Sequence, residues 1–184
     1  VLGDYAGNRT EAAKHLGWSM TKFESRLALM NCSESVRSAL NERKILLGHA
    51  ELLAAITKEK QDIVLKRMFD APTLPSVTEM KGFLNELSQV LASAIFDKSD
   101  CAACQHNSSC QSALFSEAID AGKCTHSECY KKKTEEELEK RAEAIRENYP
   151  VVRIVRPGEN NTLLKLKAEG ETGVGEEQAK ACRG

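Results

Sequence analysis

The chain has 184 residues, with 26 Lys and Arg against 27 Asp and Glu, a formal net charge of −1 and only 5% aromatic residues. This balance excludes the global basic field that drives indiscriminate nucleic-acid binding, so any contact with DNA must be local. No apolar run approaches the length of a membrane span and nothing resembles a signal peptide, so the chain reads as cytosolic with no membrane partner.

In chain order, Asn8-Arg9-Thr10-Glu11 can cap a short helix through Leu16, with Ala12, Ala13 and Leu16 on its buried side. Gly17 ends that helix, Ser19 restarts one, and Phe23, Leu27 and Met30 recur at the spacing of an apolar face. Ser35–Asn41, Gly48–Ile56 and Lys60–Phe69 read as further helices. Pro72 and Pro75 break the pattern, and Ser76 with Glu79 forms a capping box for a helix expected to reach Phe96. Its stripe of Met80, Phe83, Leu84, Leu87, Val90, Leu91, Ala94 and Ile95 must meet either the preceding helices or another chain. A helix is expected over Gln111–Ala121 and a charged one over Thr134–Asn148, stopped by Pro150. Val151–Val155 and Leu163–Leu166 read as short strands around the turn at Arg156–Asn161. The Gly- and Glu-rich tail from Glu169 reads as poorly ordered.

The predicted fold is therefore mainly α: a helix-turn-helix domain, a small cysteine-rich metal-binding segment, a long helix and a short β-hairpin. The expected organisation is a helix-turn-helix domain over 1–70, a helical linker or dimerisation helix over 71–98, a zinc-binding region over 99–168 and a flexible tail over 169–184. The opening on Val1 and the close at Cys182-Arg183-Gly184 suggest a piece of a longer protein.

A helix-turn-helix needs a small residue where its helices cross and a Gly at the turn, and Ala13 and Gly17 have that spacing. Ser19, Thr21, Lys22, Ser25 and Arg26 are the candidate DNA-binding residues of the second helix. Small hydroxyls can approach phosphates and base edges closely, and Lys and Arg neutralise phosphate or bond to guanine. The same spacing also serves plain helix packing. Trp18 could lie on a phosphate or pack at the corner.

Seven cysteines in a cytosolic chain point to metal or redox chemistry rather than disulfides. Five of them follow the spacing Cys101-x2-Cys104-x5-Cys110-x13-Cys124-x4-Cys129. A Cys-x2-Cys knuckle and a second pair about twenty residues on can close a tetrahedron around zinc. Cys101, Cys104, Cys124 and Cys129 are the expected ligands, with Cys110 a spare thiol and His106 and His126 the other candidates. An iron–sulfur cluster is the alternative occupant, since it takes the same thiolates.

The run from Arg9 to Met30, with its turn Gly17, Ser-bearing helix start and Arg26-Leu27 pair, resembles the central domain of ParB partition proteins. Gly48-His49-Ala50 is placed like the Gly-His-Ala that follows that domain's helix-turn-helix. Cys101-Ala-Ala-Cys104-Gln-His106-Asn107, Leu114-Phe115 and Cys124-Thr-His-Ser-Glu-Cys129-Tyr130 are similar to segments of ParB-like members of the PRTRC systems of mobile elements, as is the closing run Gly173–Cys182. The resemblance implies sequence-specific binding of double-stranded DNA at a centromere-like site, action as a homodimer, a ParA-like ATPase partner and a plasmid- or nucleoid-associated place in the cytoplasm. ParB proteins also bind and hydrolyse CTP through an N-terminal domain whose Arg-rich motif does not occur in this sequence.

The competing functions are a transcriptional repressor of the element's own genes, a zinc-stapled assembly protein, and a ParB-like nuclease or redox enzyme. No carboxylate and His constellation on a common face supports catalysis. The run Glu135, Glu136, Glu137 and Glu139 reads as a solvated helix flank, and His49 as a capping or packing residue. No catalytic residue is expected.

Overall fold

The computed structural model describes residues 7–149, 152–156 and 175–181. The chain divides into two compact units, Val1–Tyr130 and Lys131–Gly184. The expectation of a mainly helical protein holds: α1 (Arg9–His15), α2 (Met20–Ala28), α3 (Glu34–Asn41), α4 (Leu47–Leu53), α5 (Lys58–Asp70), α6 (Val77–Leu87), α7 (Ser108–Ser112), α8 (Ser127–Arg146) and α9 (Glu176–Ala181).

The core of the first unit gathers Val36 of α3, Ile45, Leu52 and Leu53 of α4, Leu65 of α5 and Met80 of α6. The polar groups where α3 meets α5 are paired, as burial demands. Ser33 starts α3 by accepting from Val36 N at 3.3 Å, while its own N–H donates to Gln61 Oε1 at 2.6 Å and its hydroxyl to Asp62 at 2.7 Å. Gln61, 1% exposed, returns its amide to Ile56 O at 3.0 Å, which locks α3 and α5 to the end of α4.

The capping box at α6 forms as expected: Glu79 N donates to Ser76 Oγ at 3.2 Å and Ser76 N to Glu79 Oε2 at 2.7 Å. The helix stops at Leu87 rather than at Phe96. Ser88 turns its hydroxyl back onto Leu84 O at 2.6 Å, a bond that competes with helix continuation. Gln89–Val90 then forms β1, antiparallel to β2 (Lys123–Cys124), with Gln89 opposite Cys124 and Val90 opposite Lys123. The apolar stripe is split by this break: Met80, Leu84 and Leu91 are buried, whereas Phe83, Leu87 and Val90 stay exposed. Since α6 contributes Met80 and Leu84 to the core, it is part of the domain and not a linker.

The helix expected over Gln111–Ala121 shrinks to the five residues of α7. Leu114 N and Phe115 N both fold back on Gln111 O at 2.9 Å, and Phe115 and Ile119 leave helix geometry to enter the core. The long charged helix is α8, starting seven residues before Thr134 and carrying ion pairs Lys132–Glu136 at 3.9 Å and Arg141–Glu137 at 2.8 Å at helical spacing. In the second unit, 152–156 form no strand, and Leu163–Leu166 lie outside the described residues. The expected tail is helical at α9. Among the described residues no helix is long and apolar enough to cross a membrane.

Candidate nucleic-acid interface and cysteine cluster

Local hydrogen bonds set the ends of α1 and α2. Asn8 Oδ1 accepts from Glu11 N at 3.3 Å to open α1. At its end Trp18 N reaches Ala13 O at 3.0 Å and Gly17 N reaches Lys14 O at 3.1 Å, the paired bonds of a Schellman closure. Gly17 stands at φ +65°, in the left-handed region that this closure requires and that a Cβ disfavours. Ser19 Oγ then caps α2 from Lys22 N at 3.2 Å. Ala12, Ala13 and Phe23 close a small core of their own, flanked by Leu16, Trp18 and Leu27.

The five candidate DNA-binding residues part company here. Ser19, Thr21 and Lys22 are exposed at the start of α2. Lys22 places its ammonium 5.1 Å from the centre of the Trp18 ring, so Trp18 packs at the corner and supports a cation there. Ser25 is buried at 9% exposure and is turned away from the outward face. Arg26, its side chain 34% exposed, turns Nη1 inward to 3.5 Å from Glu51 Oε1.

Glu51 is the residue that the sequence reading passed over. It is 3% exposed, and its Oε2 accepts from Ser116 Oγ at 3.0 Å and from Glu117 N at 3.1 Å. The preceding Gly48-His49-Ala50 is explained by packing. A Cβ on Gly48 would stand 2.9 Å from Val77 Cγ1, so only Gly lets α4 meet the start of α6. His49, 1% exposed, accepts at Nδ1 from Leu46 N at 3.1 Å, and burial holds its pKa below the ordinary range. Its Nε2 faces the Pro75 carbonyl without closing a hydrogen bond. Ala50 is fully buried, and its carbonyl takes the Cys32 thiol at 3.5 Å.

The cysteine segment is docked on the end of α4 rather than appended to it. His106 Nδ1 at 3.3 Å, Gln111 Nε2 at 3.2 Å and Thr125 Oγ1 at 2.5 Å converge on the Ala55 carbonyl. That carbonyl lies just past the helix end, where no intrahelical partner exists. Cys104 N folds back on Cys101 O at 3.3 Å to make the Cys-x2-Cys turn, and Asn107 Nδ2 donates to Cys101 O at 2.8 Å. Asn107 also bridges to Cys124 in antiparallel fashion, which sets the turn beside the second cysteine pair.

Cys101, Cys104, Cys124 and Cys129 are all free thiols. Burial pushes the Cys124 thiol above its ordinary range, and the nearby sulfurs of Cys104, Cys129 and Cys101 push it further. Cys124 is thus within electrostatic reach of the other three. Among the described residues, though, no three His, Cys, Asp or Glu side chains gather closely enough to hold a metal ion. The donor set is chemically of the kind that suits a soft cation, since thiolates are soft ligands. Cys110 donates its thiol to Ala102 O at 3.2 Å, and His126 caps α8 by accepting from Cys129 N at 3.1 Å.

Two helices joined by a left-handed Gly over an Ala–Phe contact, with a hydroxyl- and Lys-bearing edge left to solvent, define a helix-turn-helix domain. Residues 2–88 match the family described as the ParB HTH domain. The matched portion is accordingly a ParB-like helix-turn-helix domain, a DNA-binding module. The match runs through α6, the helix that an ending at residue 70 would have left outside. No curated protein and no solved structure matches the chain.

Proposed function

We propose that this chain is the sequence-specific DNA-binding module of a ParB-like partition protein of a plasmid or mobile element, reading its site through Ser19, Thr21 and Lys22. The observation that carries this is the capped start of α2, where these residues stand exposed on the second helix, the one that helix-turn-helix proteins place in the major groove. One such helix reads only a few base pairs, so the module works as a homodimer on an inverted repeat, in the cytoplasm with the element's DNA and a ParA-like ATPase. The test is binding to a DNA site selected from random sequence. Lys22→Ala should weaken binding and reduce the slope of log affinity against log salt by about 0.9, the contribution of one phosphate contact. Unchanged affinity and slope would place the reading surface elsewhere.

The second part of the proposal is a structural zinc held by Cys101, Cys104, Cys124 and Cys129. What supports it is the spacing of the two cysteine pairs together with Asn107, which bonds to Cys101 O and bridges to Cys124 and so links the first pair to the second. Bound zinc would close a four-thiolate shell with no open position for catalysis. Metal analysis with visible absorption decides the occupant: a colourless protein with zinc agrees, and a coloured one with iron and sulfide replaces zinc by a cluster.

A further inference from the structure

The Arg26–Glu51 contact spans the two parts of the first unit that bear function. Arg26 belongs to α2, the helix whose start is proposed to read DNA. Glu51 belongs to α4 and is almost wholly buried. A buried carboxylate needs full hydrogen bonding, and Glu51 obtains it from Ser116 Oγ at 3.0 Å and Glu117 N at 3.1 Å, both between the cysteine pairs. Its other oxygen is left for Arg26, 3.5 Å away. Arg26 Nη1 has no hydrogen-bond partner and is itself buried, so Glu51 is the anion that compensates it.

We infer that Glu51 is a positioning residue for DNA recognition: it ties α2 through Arg26 to the Ser116–Glu117 turn, so that the folding of the cysteine segment sets the orientation, and hence the DNA affinity, of the helix-turn-helix. This rests on the reading that α2 presents the DNA surface. The small core of Ala12, Ala13 and Phe23 is separate from the main core, which α2 reaches through its last residue, Ala28, and the following Leu29. The charged tether adds to that packing a contact that depends on the cysteine segment. Ser116 and Glu117 can hold the carboxylate only while the segment from Cys101 to Tyr130 is docked on Ala55 O.

The experiment measures affinity and its salt slope on the selected DNA site, with thermal unfolding of the same full-chain proteins. Glu51→Gln and Arg26→Ala should each lose about 10-fold in affinity with the salt slope unchanged. Arg26→Lys should recover most of that loss, because a single ion pair without hydrogen-bond alignment asks only for a positive charge in reach. Ser116→Ala, a change at an exposed position, should lose affinity in the same direction and by less. Should Glu51→Gln fail to fold, the Arg26 and Ser116 variants carry the test alone.

A salt slope lowered by about one in Arg26→Ala would make Arg26 a phosphate contact and overturn the tether. So would full affinity in a folded Glu51→Gln or Arg26→Ala protein, and full affinity in Ser116→Ala would cut the link to the cysteine segment. Lys22→Ala is read in parallel: if it alone is silent, the assigned DNA surface is wrong while the Glu51 and Arg26 results still report on the tether.

Discussion

Gly48 of α4 and Val77 of α6 are in contact across the core so closely that a methyl group added to Gly48 would lie 2.9 Å from Val77 Cγ1 and 3.0 Å from Glu117 Cγ. Gly48→Ala gains helix propensity, up to about 1 kcal/mol. Overpacking against a branched side chain costs about 1–3 kcal/mol, so the net effect is destabilisation by about 1 kcal/mol. Val77→Ala in the same background should restore part of it. A double-mutant cycle by denaturant unfolding checks the sign, and additive effects would mean that the two residues do not interact.

Burial pushes the Cys32 thiol from 9.0 up to about 11. The thiolate is the reactive form, so at pH 8 Cys32 should react with iodoacetamide about 100-fold more slowly than an ordinary thiol from ionisation alone, and more slowly still from burial. Mass-spectrometric mapping after partial alkylation should find Cys110 labelled well before Cys32. Labelling of Cys32 in the first wave would contradict the buried bond to Ala50 O.

His49 is held neutral by burial, and its Nδ1 must be unprotonated to accept from Leu46 N. Its folded pKa lies below the unfolded value, so the stability it contributes is present above about pH 6.5 and is lost as pH falls through the folded pKa. The unfolding midpoint should therefore decline from pH 7.5 to pH 5. His49→Gln, which keeps an acceptor and does not titrate, should flatten the decline while lowering stability at pH 7.5. His106, also depressed by burial, should keep part of the slope. An identical pH dependence in wild type and His49→Gln would refute the assignment.

Arg43 ends α3 at φ 57°, with Lys44 N on Ala39 O at 2.9 Å and Arg43 N on Leu40 O at 3.0 Å. This is the closure that Gly17 makes after α1, with a side chain where Gly is preferred. Arg43→Gly should raise stability by about 0.5–1 kcal/mol, since left-handed backbone costs an L-residue about 1–2 kcal/mol and glycine's greater freedom in the unfolded chain offsets about 0.4–1 kcal/mol of the gain. Thermal unfolding reads it directly.

For the cysteine cluster, Cys124→Ser should abolish zinc retention through gel filtration and lower the unfolding midpoint, whereas Cys110→Ser should keep one zinc per chain. Equal retention in both variants would remove Cys124 from the shell.

The cysteine segment was legible as a spacing but not as a fold. Its pairs are visible in the chain as 101, 104, 124 and 129, yet nothing local says that Thr125, Gln111 and His106 end on one carbonyl at Ala55. The α6 stripe misled for a related reason. Val90, Leu91 and Ile95 continue its apolar period, but Ser88 ends the helix and β1 pairs with β2, an alternative hydrogen-bond set that periodicity does not register. Likewise Ser25 and Arg26 carry side chains suited to DNA, and chemistry alone put them on the outer face.

The sequence by itself determined the helix-turn-helix. Asn8, Gly17 and Ser19 act on backbone groups within a few residues of themselves, so their signals survive without any tertiary context. Only the tertiary structure decided which way Arg26 points and what holds it. That contact, and those from Glu51 to Ser116 and Glu117, join residues far apart in the chain, where burial in a shared core selects the partner and no local rule can.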